Sequence, residues 1–274
     1  MSKEAFFISQ FSSRAIGDDG AIVGREVYSK DLFCEGIHFK REWMSLYHIA
    51  RKSMLVNLSD AIAMNAIPKR AMIGIVIPKQ FRFEELQELA SGFESIANEY
   101  GVEIIGGDTT AGKSLMISIS IIATLNGKPL MRKNAKVGNF VAYTGTLGAS
   151  YKELTRLLRG GKVTSKSRFV TPVLKKEFIF KASKYLSAGM DVSDGLSKDL
   201  SRITAMHRGM SFSPFSKLPK RVVCSGEEYE MLITFEARHK AHIERIAKQT
   251  RTPLTVIGRL KRGRYRCICK EHHF

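Results

Sequence analysis

Aspartates recur among glycines, serines and threonines in this chain. IGDDGAIV holds Asp18 and Asp19, YSKDLFCEGIHF holds Asp31, VNLSDAIAM holds Asp60, IIGGDTTAG holds Asp108, and MDVSDGLSKDL holds Asp191 and Asp194. Small neighbours leave a carboxylate uncovered and let a ligand approach the backbone. Several such carboxylates on one cleft repel each other unless cations lie between them. Mg²⁺ suits that place, because it takes oxygen ligands and shares them with substrate phosphates. The set points to a metal–phosphate site. Singly, each has a plainer explanation. Asp60 falls within a helical pattern, and Asp194 is placed to cap a helix starting near Gly195.

Gly107 to Ser114 reads G-D-T-T-A-G-K-S, which satisfies the phosphate-loop pattern G-x-x-x-x-G-K-S/T. A phosphate loop must feed a helix whose N-terminus holds the phosphates. Here the next residues alternate as a strand. An aspartate directly behind the first glycine also opposes phosphate charge unless a metal intervenes. Asp108, and not Lys113, is the residue of interest in this segment.

Alternating helical and extended segments must position these groups. Residues 43–66 predict a helix with an apolar face through Leu46, Ile49, Ala50, Met54, Leu58 and Ala61. Residues 71–78 predict a buried strand, 83–99 a helix and 102–107 a strand. A long strand follows over 114–125, where Ile117, Ser118, Ile119, Ser120 and Ile121 show the period of two of a half-buried sheet. So apolar a strand predicts that its exposed edge is covered by a second copy. The polar stretch 126–139 is the main boundary. Beyond it come a strand at 140–144, helices at 149–158, 174–186 and 195–206, and a mixed tail. The expected class is α/β (α+β), in two domains of residues 1–138 and 139–274.

The 274 residues are 44% hydrophobic and 26% charged, the profile of a globular protein with a sizeable core. No run of about 18 apolar residues predicts a membrane span. MSKEAFFISQF lacks the apolar length and cleavage site of a secretory signal, so a cytoplasmic protein is expected. Cys34, Cys224, Cys267 and Cys269 are too scattered for a disulfide framework, and the last two predict neighbours on one strand face. The net charge of +18 is lopsided. Residues 151–274 carry 27 Lys+Arg against 11 Asp+Glu, a net of +16, which leaves +2 for residues 1–150. Such a half reflects a basic proteome, steers phosphorylated metabolites, or binds nucleic acid. The aromatic-interleaved basic motifs of RNA-binding modules are missing, which argues against the last.

GDDGAIV, SKDLFCEGIHF, VNLSDAIAMNAIP, GGDTT, YTGTLG, DVSDGLSKDL and SGEEYEML run in this order from Gly17 to Leu232. Together they resemble the thiamine-monophosphate kinases of the aminoimidazole-ribonucleotide-synthetase-like superfamily. The resemblance implies an N-terminal sheet domain that pairs with its copy in a homodimer and a C-terminal α/β domain. ATP and several Mg²⁺ ions would lie in the cleft. It implies metal ligands at Asp19, Ser29, Asp31, Asp60, Asp108, Asp191 and Asp194. ATP contacts fall on Gly107, Asp108, Arg132 and Ser193, and contacts to thiamine monophosphate on His38 and Glu227. Asp31, Asp108 and Asp194 then stand nearest the reaction. Without the resemblance, His38 reads as an ordinary loop histidine and Glu227 as a charge at a helix N-terminus.

There are departures from the family pattern. Lys30 stands where threonine is usual, and an ammonium cannot ligate Mg²⁺, so a metal is bound differently or is replaced by that charge. Ser225-Gly226 replaces a glycine pair, and Glu228 replaces an aspartate. The chain is shorter than is typical, mainly after residue 150. Its KEHHF ending leaves Phe274 or His273 as the aromatic that stacks on the acceptor. Superfamily relatives that activate selenide want a reactive cysteine in a glycine-rich N-terminal segment, which is absent. The hydrogenase-maturation relatives want a cysteine at the extreme C-terminus, whereas Lys270 to Phe274 follow Cys269 here. Transfer between two phosphate-bearing substrates needs alignment and charge neutralisation rather than a base, and no Ser-His-Asp or Cys-His pairing is evident.

Overall fold

The computed structural model describes residues 3–13 and 15–269. Phe274 and His273, the candidates for stacking on the acceptor, lie outside the described residues. A short helix α1 (Lys3–Ile8) precedes the first sheet. That sheet contains β1 (Ala21–Val23), β2 (Glu26–Cys34), β3 (Ala66–Pro78), β4 (Glu103–Gly112) and β5 (Met116–Leu125), in the spatial order β1-β2-β5-β3-β4. Helices α2 (Leu46–Ala63) and α3 (Phe83–Tyr100) fall between its strands in sequence. Strands β1 and β2 form a hairpin, β5 runs antiparallel to both β2 and β3 after a long excursion of the chain, and β3 and β4 are parallel and need α3 as their crossover.

The alternation in β5 is realised against the core. Ile117, Ile119, Ile121 and Ala123 are fully buried, in register with Phe33, Asp31, Ser29 and Val27 of β2. Both edges of β5 are hydrogen-bonded, to β2 and to β3. The expectation that a second copy covers this strand's edge is therefore corrected. The edge strands are the short β1 and the long β4, and the residues of β4 are mostly exposed.

The second sheet holds β6 (Phe140–Thr144), β7 (Ala188–Asp191), β8 (Met210–Pro214), β9 (Met231–Phe235) and β10 (Leu254–Arg262), in the order β7-β9-β6-β10-β8. Around it run α4 (Ala149–Leu158), α5 (Lys176–Ala182), α6 (Leu196–Ala205), α7 (Lys220–Val223) and α8 (Lys240–Gln249). Helix α2 joins the two halves. Ile49, Met54, Leu58 and Ile62 are fully buried, and one apolar cluster reaches from them and Ile119 to Phe178, Ile179 and Phe235. A helix packed on several sides needs no polar face, which explains why its burial extends around most of its circumference. Gly92 lets α3 cross α2 closely, since a Cβ there would sit 2.3 Å from the Tyr47 carbonyl oxygen.

Cys267 and Cys269 follow β10 in irregular chain rather than on a strand. Cys269 is joined by a disulfide to Cys224, 45 residues away. Folding thus brings together two of the cysteines that looked scattered. No helix among the described residues is long and apolar enough to cross a membrane.

Candidate active site

Lys52, Val56 and Asp60 recur every fourth residue on α2, so they share one face of the helix. Across from them β2 turns Ser29 and Asp31 inward. Asn57 of α2 ties the two elements: its side-chain oxygen accepts from the Asp31 backbone N–H at 2.8 Å, and its carbonyl accepts from Ser29 Oγ at 3.3 Å. The turn before β1 supplies Asp18 and Asp19, the end of β7 supplies Asp191, and the loop into α6 supplies Ser193 and Asp194. A cleft of about 600 Å³ opens over this floor, lined by Asp19, Asp31, Asp60, Arg132, Ser193 and Asp194 among others.

Carboxylate oxygens of Asp19, Asp60 and Asp191 all lie within 4.8 Å of one another. Ser59 Oγ donates to Asp191 at 2.6 Å. Arg132 closes the other side: its backbone N–H donates to Asp18 at 2.6 Å, and its guanidinium to the Gly17 carbonyl at 3.2 Å and to Asp19. Burial raises the pKa of Asp19, Asp31, Asp60 and Asp191, and neighbouring carboxylates add to it. Asp31 is pushed up to about 6 by burial and then by Asp19 and Asp194. Asp191 is pushed up to about 8 by burial and then by Asp19, against a hydrogen bond from Ser59. Asp60 is raised well above the carboxylate range by burial and by Asp31. Asp19 Oδ2 and Arg132 Nε are buried with no hydrogen-bond partner among the described residues. An all-oxygen donor set with an orphaned oxygen fits Mg²⁺, and an orphaned guanidinium N–H beside it fits a phosphate.

At the other end of the cleft, His38 stacks on Phe33 with ring centroids 5.5 Å apart, and its Nδ1 accepts from the Cys34 backbone N–H at 2.9 Å. Glu227 lines the same end. It lies in the loop between α7 and β9, not at a helix N-terminus, and its N–H donates to the Ser193 carbonyl at 2.7 Å. Gly195, and not Asp194, occupies the N-cap position of α6. Asp194 pairs with Arg202, which also holds Asp199 at 2.8 Å.

Two residues of this site escaped the sequence reading. Arg202 follows Asp194 and Asp199 along α6 and gathers both. Lys52 is fully buried and lies 2.6 Å from Glu227. A lysine two turns before Asp60, on the same face of a mostly apolar helix, was the available signal.

Within one chain, Gly107 and Asp108 are not brought to the cluster. The register pairs Asp108 with Gly74 and Gly74 with Ser118, on the face opposite Ile73, Ile119 and Asp31. Gly107 has a packing reason of its own, since a Cβ there would lie 1.8 Å from the Ile73 carbonyl oxygen. Lys30 is on that outer face too, donating to Ser118 Oγ at 2.7 Å and Ser120 Oγ at 3.2 Å. The residue also lines the cleft, but its ammonium is engaged by these two serines.

A family model described as "AIR synthase related protein, N-terminal domain" matches residues 17–127. The thiamine-monophosphate kinase of Nitrosopumilus maritimus is 30% identical over 241 residues, spanning 81% of this chain and 77% of that relative. This chain belongs to the thiamine-monophosphate kinase family. A solved structure, AaThiL complexed with AMPPCP and TMP, has the same fold, with a TM-score of 0.83 and 24% identity over 96% of this chain and 90% of that one. A chain of a HypE–HypF complex is nearly as close in shape, at TM-score 0.79 and 20% identity over 95% and 93%. Shape alone does not separate thiamine-monophosphate kinases from that fold relative. The family assignment rests on the 30% identity to the Nitrosopumilus maritimus relative.

Proposed function

We propose that this chain transfers the terminal phosphoryl group of ATP to the phosphate of thiamine monophosphate, giving thiamine diphosphate and ADP. The observation that carries this reading is the convergence of Asp19, Asp60 and Asp191, with an orphaned buried oxygen, in the cleft of a member of this family. The occupants named for the AaThiL structure support the pairing of nucleotide and acceptor. Mg²⁺ held by Asp19, Asp60 and Asp191, with Asp31 and Asp194 alongside, would neutralise the phosphates of both substrates. Arg132 and Ser193 serve the nucleotide end, and His38 and Glu227 the acceptor end. The bond from the γ-phosphorus to its bridging oxygen breaks as an acceptor phosphate oxygen bonds to that phosphorus. The acceptor oxygen is already anionic, so no general base is required. Incubation with ATP, Mg²⁺ and thiamine monophosphate should yield thiamine diphosphate and ADP in equal amounts; ADP without thiamine diphosphate would overturn the reading.

The same proposal includes a homodimer formed through the outer face of the first sheet. That face exposes Tyr28, Leu32, Met72 and Met116 and carries Asp108 toward the open edge. Apolar side chains gathered on one sheet face favour a covering partner. Asp108 then serves a cleft across that interface rather than in its own chain. A cytoplasmic location, where ATP is supplied, goes with this reading.

A further inference from the structure

Lys52 is the most deeply buried cation of the acceptor end. Its side chain has no exposure, and its Nζ lies 2.6 Å from Glu227 Oε2. The ammonium also lies 3.7 Å from the centroid of the Phe169 ring and 5.6 Å from that of Phe33. Burial lowers its pKa, and Glu227 is the largest influence holding the charged form. A lone ammonium in such a place is costly, and removing one member of a buried pair leaves the other uncompensated. Glu227 is pinned as well. Its backbone adopts the left-handed region, φ 54°, which is uncommon for a residue with a side chain. Ser150 Oγ donates to its carbonyl at 2.7 Å, and its N–H is held by the Ser193 carbonyl. Its side chain remains 20% exposed and lines the cleft beside Phe33 and His38.

We propose that Lys52 is a positioning residue for acceptor recognition, holding the Glu227 carboxylate as a charge-neutralised, directed hydrogen-bond acceptor for an N–H group of an aromatic acceptor. This rests on the kinase reading. A carboxylate without that partner would rotate, and would attract any cation rather than a donor at one position. The ammonium touches neither the Asp cluster nor the nucleotide end, so its effect should fall on one substrate only.

A double-mutant cycle over Lys52→Met and Glu227→Gln tests this, with steady-state kinetics for both substrates. Lys52→Met in the native background should raise the acceptor KM by about tenfold or more and leave the ATP KM within about twofold. In the Glu227→Gln background the same substitution should move the acceptor KM by less than about threefold, because its target is already neutral. The doubly substituted chain contains no unpaired buried charge, so that comparison stands even if Lys52→Met alone fails to fold. Additive effects, or equal rises in both KM values, would overturn the inference while native activity leaves the kinase reading intact. If the native chain forms no thiamine diphosphate, both fall together.

Discussion

Asp31 and Asp191 make the crowding of charge in the cleft measurable. Their carboxyls stand at about 6 and about 8 against an ordinary 3.8. A carboxyl with a raised folded-state pKa holds its proton more tightly when folded. Its stabilising contribution is full below the ordinary value and lost as pH rises through the folded one. Metal-free protein should therefore melt lower at pH 8 than at pH 5, by roughly 3 °C or more. Mg²⁺ should remove most of that difference, because the cation takes over from the protons. A melting temperature that is flat with pH in the absence of Mg²⁺ would contradict the crowding. Asp60→Asn tests the same cluster through rate. Loss of one carboxylate from a desolvated metal site should cost roughly a hundredfold or more in turnover. Its metal-free form should melt higher than the native chain at pH 8, since one of the repelling charges is gone. Activity within about tenfold of native would remove Asp60 from the metal set.

At the scale of elements, β4 decides between two meanings of GGDTTAGKS. The strand runs to Gly112 and turns into β5 four residues later, and no helix begins there to cradle phosphates. Asp108→Asn should nearly abolish turnover, whereas Lys113→Ala should cost less than about tenfold. A dead Lys113→Ala variant beside an active Asp108→Asn variant would reverse the assignment. The disulfide makes a second prediction here. Cys224 ends α7 and Cys269 lies in the chain after β10, so the bond closes a loop with a separation of 45 residues. Such a cross-link contributes about 2–4 kcal/mol, chiefly by restricting the unfolded chain. Dithiothreitol should lower the melting temperature of the native protein and leave that of Cys224→Ser unchanged. No response from the native chain would mean that the bridge does not form in solution.

One apolar cluster spans both halves of the molecule, a second lies within the C-terminal half, and the outer face of the first sheet exposes apolar side chains. Helix α2 takes its burial from both halves, so the carboxylates of the first sheet and of β7 meet on a shared support. The outer face of the first sheet has no such cover and carries Asp108. Sedimentation at micromolar concentration should show a dimer. Co-expression of Asp60→Asn with Asp108→Asn offers a sharper check. If Asp108 acts across the interface, half of the dimers keep one intact site, and about a quarter of native activity returns. If it acts within its own chain, no dimer keeps an intact site and none returns.

Asp19, Asp60 and Asp191 were legible in the sequence because each lies in a short segment whose small neighbours expose a carboxylate. Helices α3, α4 and α6 were legible because a period of 3.6 is a local property of the chain. The alternation of β5 predicted its two faces for the same reason, but not its two neighbours, and the proposed need for a partner at its edge disappeared once β2 and β3 were in place. Lys52 and Glu227 are 175 positions apart, and no periodicity links them. Cys224 and Cys269 are likewise joined only by how α7 and the chain after β10 pack. The position of Asp108 depended on the register between β3 and β4, which shifts by a bulge between Ala71 and Met72. A shift of one residue in a strand moves every later side chain to the opposite face. The residue types therefore determined which groups can hold metal and phosphate. Only the tertiary structure decided which of them share a cleft, because pairing across long separations is set by register and packing and not by local pattern.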